Sequence, residues 1–340
     1  MNTSGNTAAV EEPMAAAARR IFSLVGPELA LVEEEFERQA RSNIQVIAYI
    51  GDYLRESGGK RVRPALTLLA NRAVGGDARQ PNVVRMATVM EFLHTATLVH
   101  DDIIDNAETR RNRPSINSRF GNQTAVLMGD WLYMSAFETS LQERSLAVLD
   151  ILTAVTRKMT EGELMQLTLL GRADVSEEQY FDVLRRKTAY LFSACCEIGA
   201  LLGGCGEEER AALRDYGMNL GTAFQLVDDM LDFTSDEDVL GKAAGVDLLE
   251  GKVTLPLIHL LGEKPELAKA VQAVMREGSY GEFSRASLIR EAEKAGALER
   301  SRARAAAFAE AASSSLDGLR QSEYSEALRA IPSYILEREM

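Results

Sequence analysis

The stretch LVHDDIID, Leu98–Asp105, sets three carboxylates, Asp101, Asp102 and Asp105, into an otherwise apolar run. Carboxylates withdrawn from water need partners, so the stretch asks what positive charge the chain holds there. Reading back through VVRMATVMEFLHTAT, the apolar residues recur at three and four, which is helical spacing. On such a helix His94, Thr97, Asp101 and Asp105 form one polar stripe on an apolar body.

The same period continues along the chain, as in Leu213, Tyr216, Leu220, Phe224, Val227 and Leu231, and alternating strand patterns are missing. The eight prolines are few, and Pro64, Pro81 and Pro256 stand where helices should begin. Glycine pairs at 58/59, 75/76 and 203/204 fit helix stops. The expectation is an all-α fold of ten or more helices, several apolar all round, packed as a bundle with a central layer. Residues 1–14, small and polar, read as a disordered tail. Residues 15–340 read as a single helical domain, because no linker interrupts the apolar pattern.

A net charge of −13 disfavours nucleic acid and anionic lipid as main partners, since both ask for a basic face. Cys195, Cys196 and Cys205 follow no metal-ligand spacing and read as buried thiols in a reducing compartment. No signal-peptide pattern and no apolar run of membrane-spanning length is visible. A soluble, cytoplasmic protein is expected.

A second cluster, QLVDDMLD at 225–232, repeats the DDxxD spacing with Asp228, Asp229 and Asp232. In each cluster the outer pair lies four residues apart, on one helix face, where like charges repel unless a cation offsets them. Carboxylates without histidine or thiolate suit a hard ion such as Mg²⁺, which keeps waters and shares itself with phosphate. Basic loops supply the rest of an anion site. ESGGKRVRP carries Lys60, Arg61 and Arg63 into a helix start, and TRRNRPS carries Arg110, Arg111 and Arg113. LGKAAGVDLLEGKVTLP adds Lys242 and Lys252 in a glycine-punctuated loop. Metal plus diphosphate is the chemistry this pattern serves.

In that order, GGKRVRP, EFLHTATLVHDDIID, TRRNRPS, GDW, EGELMQL, RRKTAYLF, FQLVDDMLD and GKAAGVDLLEGKVTLPL, the chain resembles the trans-polyprenyl diphosphate synthases over most of its length. The resemblance implies antiparallel helices around a deep cavity, usually in a homodimer. It implies repeated 1'-4 condensation of an allylic diphosphate with isopentenyl diphosphate. By the same resemblance Asp101, Asp105 and Asp228 ligate three Mg²⁺ ions, and Asp102, Asp229 and Asp232 support them. Lys60, Arg63, His94 and Arg111 match contacts to isopentenyl diphosphate, and Arg110 a contact to the allylic diphosphate. Lys187, Thr188 and Gln225 match groups around the reacting carbons, and Lys242 and Lys252 match diphosphate contacts from a closing loop. Two departures stand out. Gln166 occupies a position where short-chain relatives carry aspartate, and GKAAG lacks a proline that many relatives place before the glycine.

Product length is read from Ala96 and Thr97, small residues five and four positions before Asp101, where short-chain members place aromatic floors. A tail that passes them would meet a deeper floor made by Leu132, Tyr133, Met134 or Phe137. A C35–C50, octaprenyl-like product for quinone side chains is expected, with a geranylgeranyl (C20) diphosphate synthase as the alternative. A non-catalytic synthase-like subunit would lack one aspartate cluster, and a terpene cyclase would not carry DDMLDFTSD.

Overall fold

Helix forms nearly throughout, as the three-and-four spacing requires. The computed structural model describes residues 19–56, 58–111, 113–235, 245–281 and 283–337, so the tail expected at 1–14 and Lys242 lie outside the described residues. In chain order the main helices are α1 (Gly26–Ala40), α2 (Gln45–Glu56), α3 (Val62–Ala73), α4 (Pro81–Ile104), α5 (Ile116–Phe120), α6 (Asn122–Ser140), α7 (Leu146–Leu169) and α8 (Glu177–Leu184). They continue with α9 (Tyr190–Leu202), α10 (Glu207–Thr234), α11 (Val246–Leu249), α12 (Leu255–Glu263), α13 (Ala268–Glu277), α14 (Arg285–Lys294), α15 (Ala297–Ser315) and α16 (Glu323–Glu337). Residues 262–340, which carry no motif, are thus mostly helix where described. Among the described residues the only strands are β1 (Thr109–Arg110) and β2 (Arg113–Pro114), a two-residue antiparallel ladder that the sequence pattern does not announce.

Prolines and glycines punctuate as expected. Pro81 opens α4 and Pro256 sits in the first turn of α12. The helices α2, α3 and α9 stop just before the glycine pairs.

The chain divides into two compact units: Met1–Thr156 with Ala194–Arg214 and Gly318–Leu328, and Arg157–Ser193 with Asp215–Asp317 and Arg329–Met340. The first is organised on α4, whose Met86, Met90, Phe92 and Leu93 are fully buried and which is apolar on nearly every side. Phe92 stacks on Phe36 of α1, ring centroids 4.5 Å apart. Alongside runs α6, so close that a Cβ on Gly129 would fall 2.2 Å from His100 Nε2. Helix α3 is held by residues 194–202: Asn71 Nδ2 donates to Gly199 O at 3.1 Å. Its C-terminus is closed by Arg320, whose Nε donates to Ala73 O at 3.1 Å.

In the second unit, residues 215–234 press against 189–193. A Cβ on Gly217 would lie 2.6 Å from Phe192 O, and one on Gly221 would lie 2.7 Å from Ala189 Cα. Buried Leu255, Leu257 and Leu260 of α12 and Ala305, Ala309 and Ala312 of α15 contribute to its core.

A methyl at Gly199 would meet the backbone oxygen of Thr67 at 2.2 Å, an atom that cannot swing aside. Gly199→Ala should cost about 1–3 kcal/mol by overpacking. Gly262, within α12 and with nothing within 4 Å of a Cβ, should instead gain several tenths of a kcal/mol on Gly262→Ala. Urea midpoints at unchanged m-value check both.

Candidate active site

The glycine-led loop before α3 sorts its basic residues. Arg61, at φ 48°, adopts the left-handed conformation as the helix N-cap, which separates its side chain from those of its neighbours. Its guanidinium is spent on structure: Nη1 donates to Glu91 Oε1 at 2.6 Å and Nε to Glu33 Oε1 at 2.5 Å, over the Phe36 ring. Lys60 is left exposed and Arg63 half-buried. Sequence reading places all three in one basic cluster; the fold uses Arg61 as an anchor.

The second basic loop turns at Arg111, at φ 52°, between β1 and β2. Gly59 lets it approach the first loop, since a Cβ there would be 3.0 Å from Arg111 Nη1. Arg110 turns the other way, donating from Nε and Nη2 to Asp102 Oδ1, each at 2.7 Å. Asp102 is buried, and desolvation pushes its carboxyl above the usual value while Arg110 opposes the rise. Its backbone oxygen accepts from Ala107 N at 2.9 Å and Asn117 Nδ2 at 3.2 Å, tying the hairpin to the end of α4. Asp101 and Asp105 are only half-buried, on the face they share with His94 and Thr97.

His94 is where the positive groups of this unit converge. Burial first, then Arg63, Arg111, Arg110 and Arg61, hold its imidazole well below the ordinary value, hence neutral at pH 7. Ala96 is fully buried at 0% exposure, whereas Thr97 is half-buried with its hydroxyl donating to His94 O at 2.7 Å. Of the deeper floor residues, Leu132 is buried, Tyr133 sits 5.9 Å from the His100 ring, and Met134 is 62% exposed. Met134 therefore points out of its unit and is no floor within it.

The second unit holds a cleft of about 740 Å³ open to solvent, lined by Lys187, Thr188, Gln225, Asp229, Asp247 and Lys252 and backed by leucines of α7 and α8. Arg185–Ala189, the RRKTA of the sequence, forms a π-helical turn. That wider turn lets the consecutive residues Lys187 and Thr188 both line one cleft, the local irregularity often found at functional sites. Lys187 Nζ pairs with Glu163 Oε1 at 2.8 Å and donates to Gln166 Oε1 at 3.0 Å. Thr188 Oγ1 donates to Gln225 Oε1 at 2.8 Å, and Gln225 Nε2 donates to Asp229 Oδ1 at 2.8 Å. Asp229 also accepts from Tyr180 Oη at 2.6 Å. Burial, with the charge of Asp247 added, pushes the Asp229 carboxyl up. Asp232 is buried and accepts from Asp247 N at 3.1 Å; Asp228 is half-buried. Lys252 reaches Glu250 Oε2 at 2.7 Å.

Three participants escape sequence reading: Tyr180, Glu163 and Asp247. Tyr180 stands seven residues before Lys187, two helical turns, but a lone tyrosine next to Phe181 in a short amphipathic stretch reads as core. Glu163 and Asp247 sit in acidic stretches that look solvated.

Among the described residues, no three histidine, cysteine or acidic side chains converge to cage an ion by themselves. All-oxygen donors, two to a helix face, fit an ion whose other ligands are water and phosphate oxygens.

A helical fold with paired aspartates, converging arginines and a lysine-lined cleft defines a diphosphate-handling enzyme. The polyprenyl synthetase family model matches residues 44–290, and the chain belongs to that family, whose members are prenyl-transferring enzymes. It is 38% identical to the octaprenyl diphosphate synthase of Escherichia coli over 321 residues, 94% of this chain and 98% of that one. A decaprenyl diphosphate synthase from Rhodobacter capsulatus superposes with TM-score 0.89 at 34% identity, covering 95% of this chain and 99% of the other. A polyprenyl synthase from Caulobacter crescentus, solved with calcium and isoprenyl diphosphate, gives TM-score 0.87 at 34% identity, covering 95% and 98%.

The His94 environment sets a pH response. A folded-state value depressed below the unfolded 6.5 means the unfolded chain takes the proton more readily. Stability is then full above that pH and falls as pH drops through it, by at most about 1.4 kcal/mol per pH unit from this group. Urea unfolding between pH 7.5 and 5 should show this component, and His94→Gln should remove it.

Proposed function

We propose that this chain is a long-chain trans-polyprenyl diphosphate synthase of the octaprenyl kind. The observation that carries the reading is the 38% identity to an octaprenyl diphosphate synthase across nearly the full length of both chains. Both DDxxD clusters and the described basic groups accompany it.

In this reading Asp101, Asp105 and Asp228 would hold Mg²⁺, three ions in all. When bound, the metal supplies Lewis acidity that eases departure of the diphosphate. Lys187, Lys252 and Lys242 bind the departing anion, and Arg110 contacts the allylic diphosphate. Lys60, Arg63, Arg111 and neutral His94 orient isopentenyl diphosphate, the arginines gripping its phosphates. The oxygens of Thr188 and Gln225 face the electron-poor allylic carbon and stabilise it. The C1–O bond of the allylic diphosphate breaks and C4 of isopentenyl diphosphate bonds to C1. A proton then leaves C2 for the released diphosphate, since among the described residues no side chain stands out as the base. One diphosphate and one proton are released per added C5 unit.

We read residues 15–340 as one functional domain acting in the cytoplasm as a homodimer. Support for self-association is an apolar strip on α6 and just past it: Leu127, Met134 and Leu141, spaced by seven and exposed at 68, 62 and 47%. Large exposed apolar residues in register mark an interaction face.

The test is to incubate the protein with farnesyl diphosphate, labelled isopentenyl diphosphate and Mg²⁺ and to size the dephosphorylated products; C35–C50 alcohols are expected, and a C20 product would favour the geranylgeranyl alternative. Asp101→Ala and Asp228→Ala should each abolish turnover with the helical circular dichroism intact, and full activity in either removes the metal assignment. In the same assay Thr97→Phe should shorten the product. Thr97 is the better probe than Ala96, where an added ring would overpack a fully buried position.

A further inference from the structure

Tyr180 has no part in the assignments above, yet it ends a run of hydrogen bonds that reaches them. Its hydroxyl donates to Asp229 Oδ2 at 2.6 Å; Asp229 Oδ1 accepts from Gln225 Nε2 at 2.8 Å; Gln225 Oε1 accepts from Thr188 Oγ1 at 2.8 Å. Tyr180, Asp229 and Thr188 are buried, so none of these bonds can be exchanged for water without cost.

Donor and acceptor accounting gives the run a direction. A primary amide donates at one end and accepts at the other, and a carboxyl oxygen that carries no proton only accepts. Asp229 therefore claims the NH₂ end of Gln225 and leaves the amide oxygen for Thr188. Were the carboxylate free to rotate about its last torsion, a broad two-fold well, it would still accept from the amide but hold it in a less defined place. Tyr180 removes that freedom by fixing the second carboxylate oxygen.

The first motif has a matching arrangement built from different parts. Its middle aspartate, Asp102, is buried and holds Arg110 at 2.7 Å, while Asp101 and Asp105 are half-buried. In the second motif the middle aspartate is likewise buried and engaged by protein groups, and Asp228 is half-buried.

We propose that Asp229 and Tyr180 are positioning residues for Gln225 and Thr188, with no share in metal binding: the tyrosine hydroxyl holds one oxygen of the buried carboxyl and the glutamine amide the other. This rests on the reading that Thr188 and Gln225 flank the reacting carbon. A middle aspartate in a DDxxD cluster is then an internal clamp whose task is to orient a neighbouring polar group.

Two measurements decide it. Tyr180→Phe keeps the ring and deletes only the hydroxyl; it should lower kcat about tenfold, of the order expected for one lost hydrogen bond in a positioned network. KM for isopentenyl diphosphate and the Mg²⁺ concentration giving half-maximal rate should stay within about twofold of wild type. Asp229→Asn, which keeps an acceptor for Gln225, should retain far more kcat than Asp229→Ala, again with an unchanged Mg²⁺ requirement. A Tyr180→Phe enzyme with wild-type kcat, or an Asp229→Asn enzyme as impaired as Asp229→Ala with a several-fold higher Mg²⁺ requirement, overturns the proposal. The second readout needs no turnover. In the substrate-free full-length protein the Gln225 side-chain amide protons should exchange slowly by nitrogen-15 NMR, and at least about tenfold faster in Tyr180→Phe. Equal exchange in the two proteins overturns the clamp whatever the activity, so its failure is distinct from a failure to make polyprenyl diphosphate.

Discussion

Removing a carboxylate from water costs several kcal/mol unless hydrogen bonds or a cation answer the charge. Two apolar helices here each end in three aspartates, and that cost dictates how everything around them is arranged. Asp102 is answered by Arg110, Asp229 by Tyr180 and Gln225, and Asp232 by the backbone N–H of Asp247. Asp101, Asp105 and Asp228 keep access to solvent. The fold thus separates aspartates withdrawn from solvent from aspartates that keep some access to it. One residue type, repeated in one motif, meets two environments because burial differs along a single helical turn.

Backbone proximity sets the frame on which that division depends. At Gly199, Gly217 and Gly221 a neighbouring backbone comes so close that no Cβ fits without displacement. Helices packed at that distance have little freedom to slide, since a shift of one residue would drive a side chain into backbone. Gly59 does the same on a smaller scale, admitting the Arg111 guanidinium beside the first basic loop. The convergence of arginines on His94 is therefore a product of glycine positions as much as of arginine positions.

The helices and the faces of the two aspartate clusters were legible in the sequence because both follow from a 3.6-residue period, which needs no tertiary information. His94, Thr97, Asp101 and Asp105 share a face for that reason alone. What could not be read depends on single dihedrals and on contacts distant in sequence. Arg61 parts from Lys60 and Arg63 through one left-handed residue, and its partner Glu91 lies thirty positions on. Lys187 and Thr188 line one cleft because their turn is π-helical, which nothing in RRKTAYLF announces. Ala96 and Thr97 looked equivalent as small residues, but adjacent positions on a helix face different ways, and only Thr97 keeps any exposure. Tyr180 was invisible because its importance resides in a hydroxyl whose partner is 49 residues away.

The replacement of an expected aspartate by Gln166 gains its meaning from the same accounting. Gln166 accepts a hydrogen bond from Lys187 at 3.0 Å, as a carboxylate would, but brings no charge. Lys187 then has one anionic partner, Glu163 at 2.8 Å, where an aspartate at 166 would give it two. A lysine between two carboxylates is overbalanced and has little attraction left for an incoming anion. Paired with a carboxylate and a neutral acceptor, it is oriented by both without being overbalanced. Gln166 thus gives Lys187 a hydrogen-bond acceptor while leaving one fewer negative charge beside it than a carboxylate would.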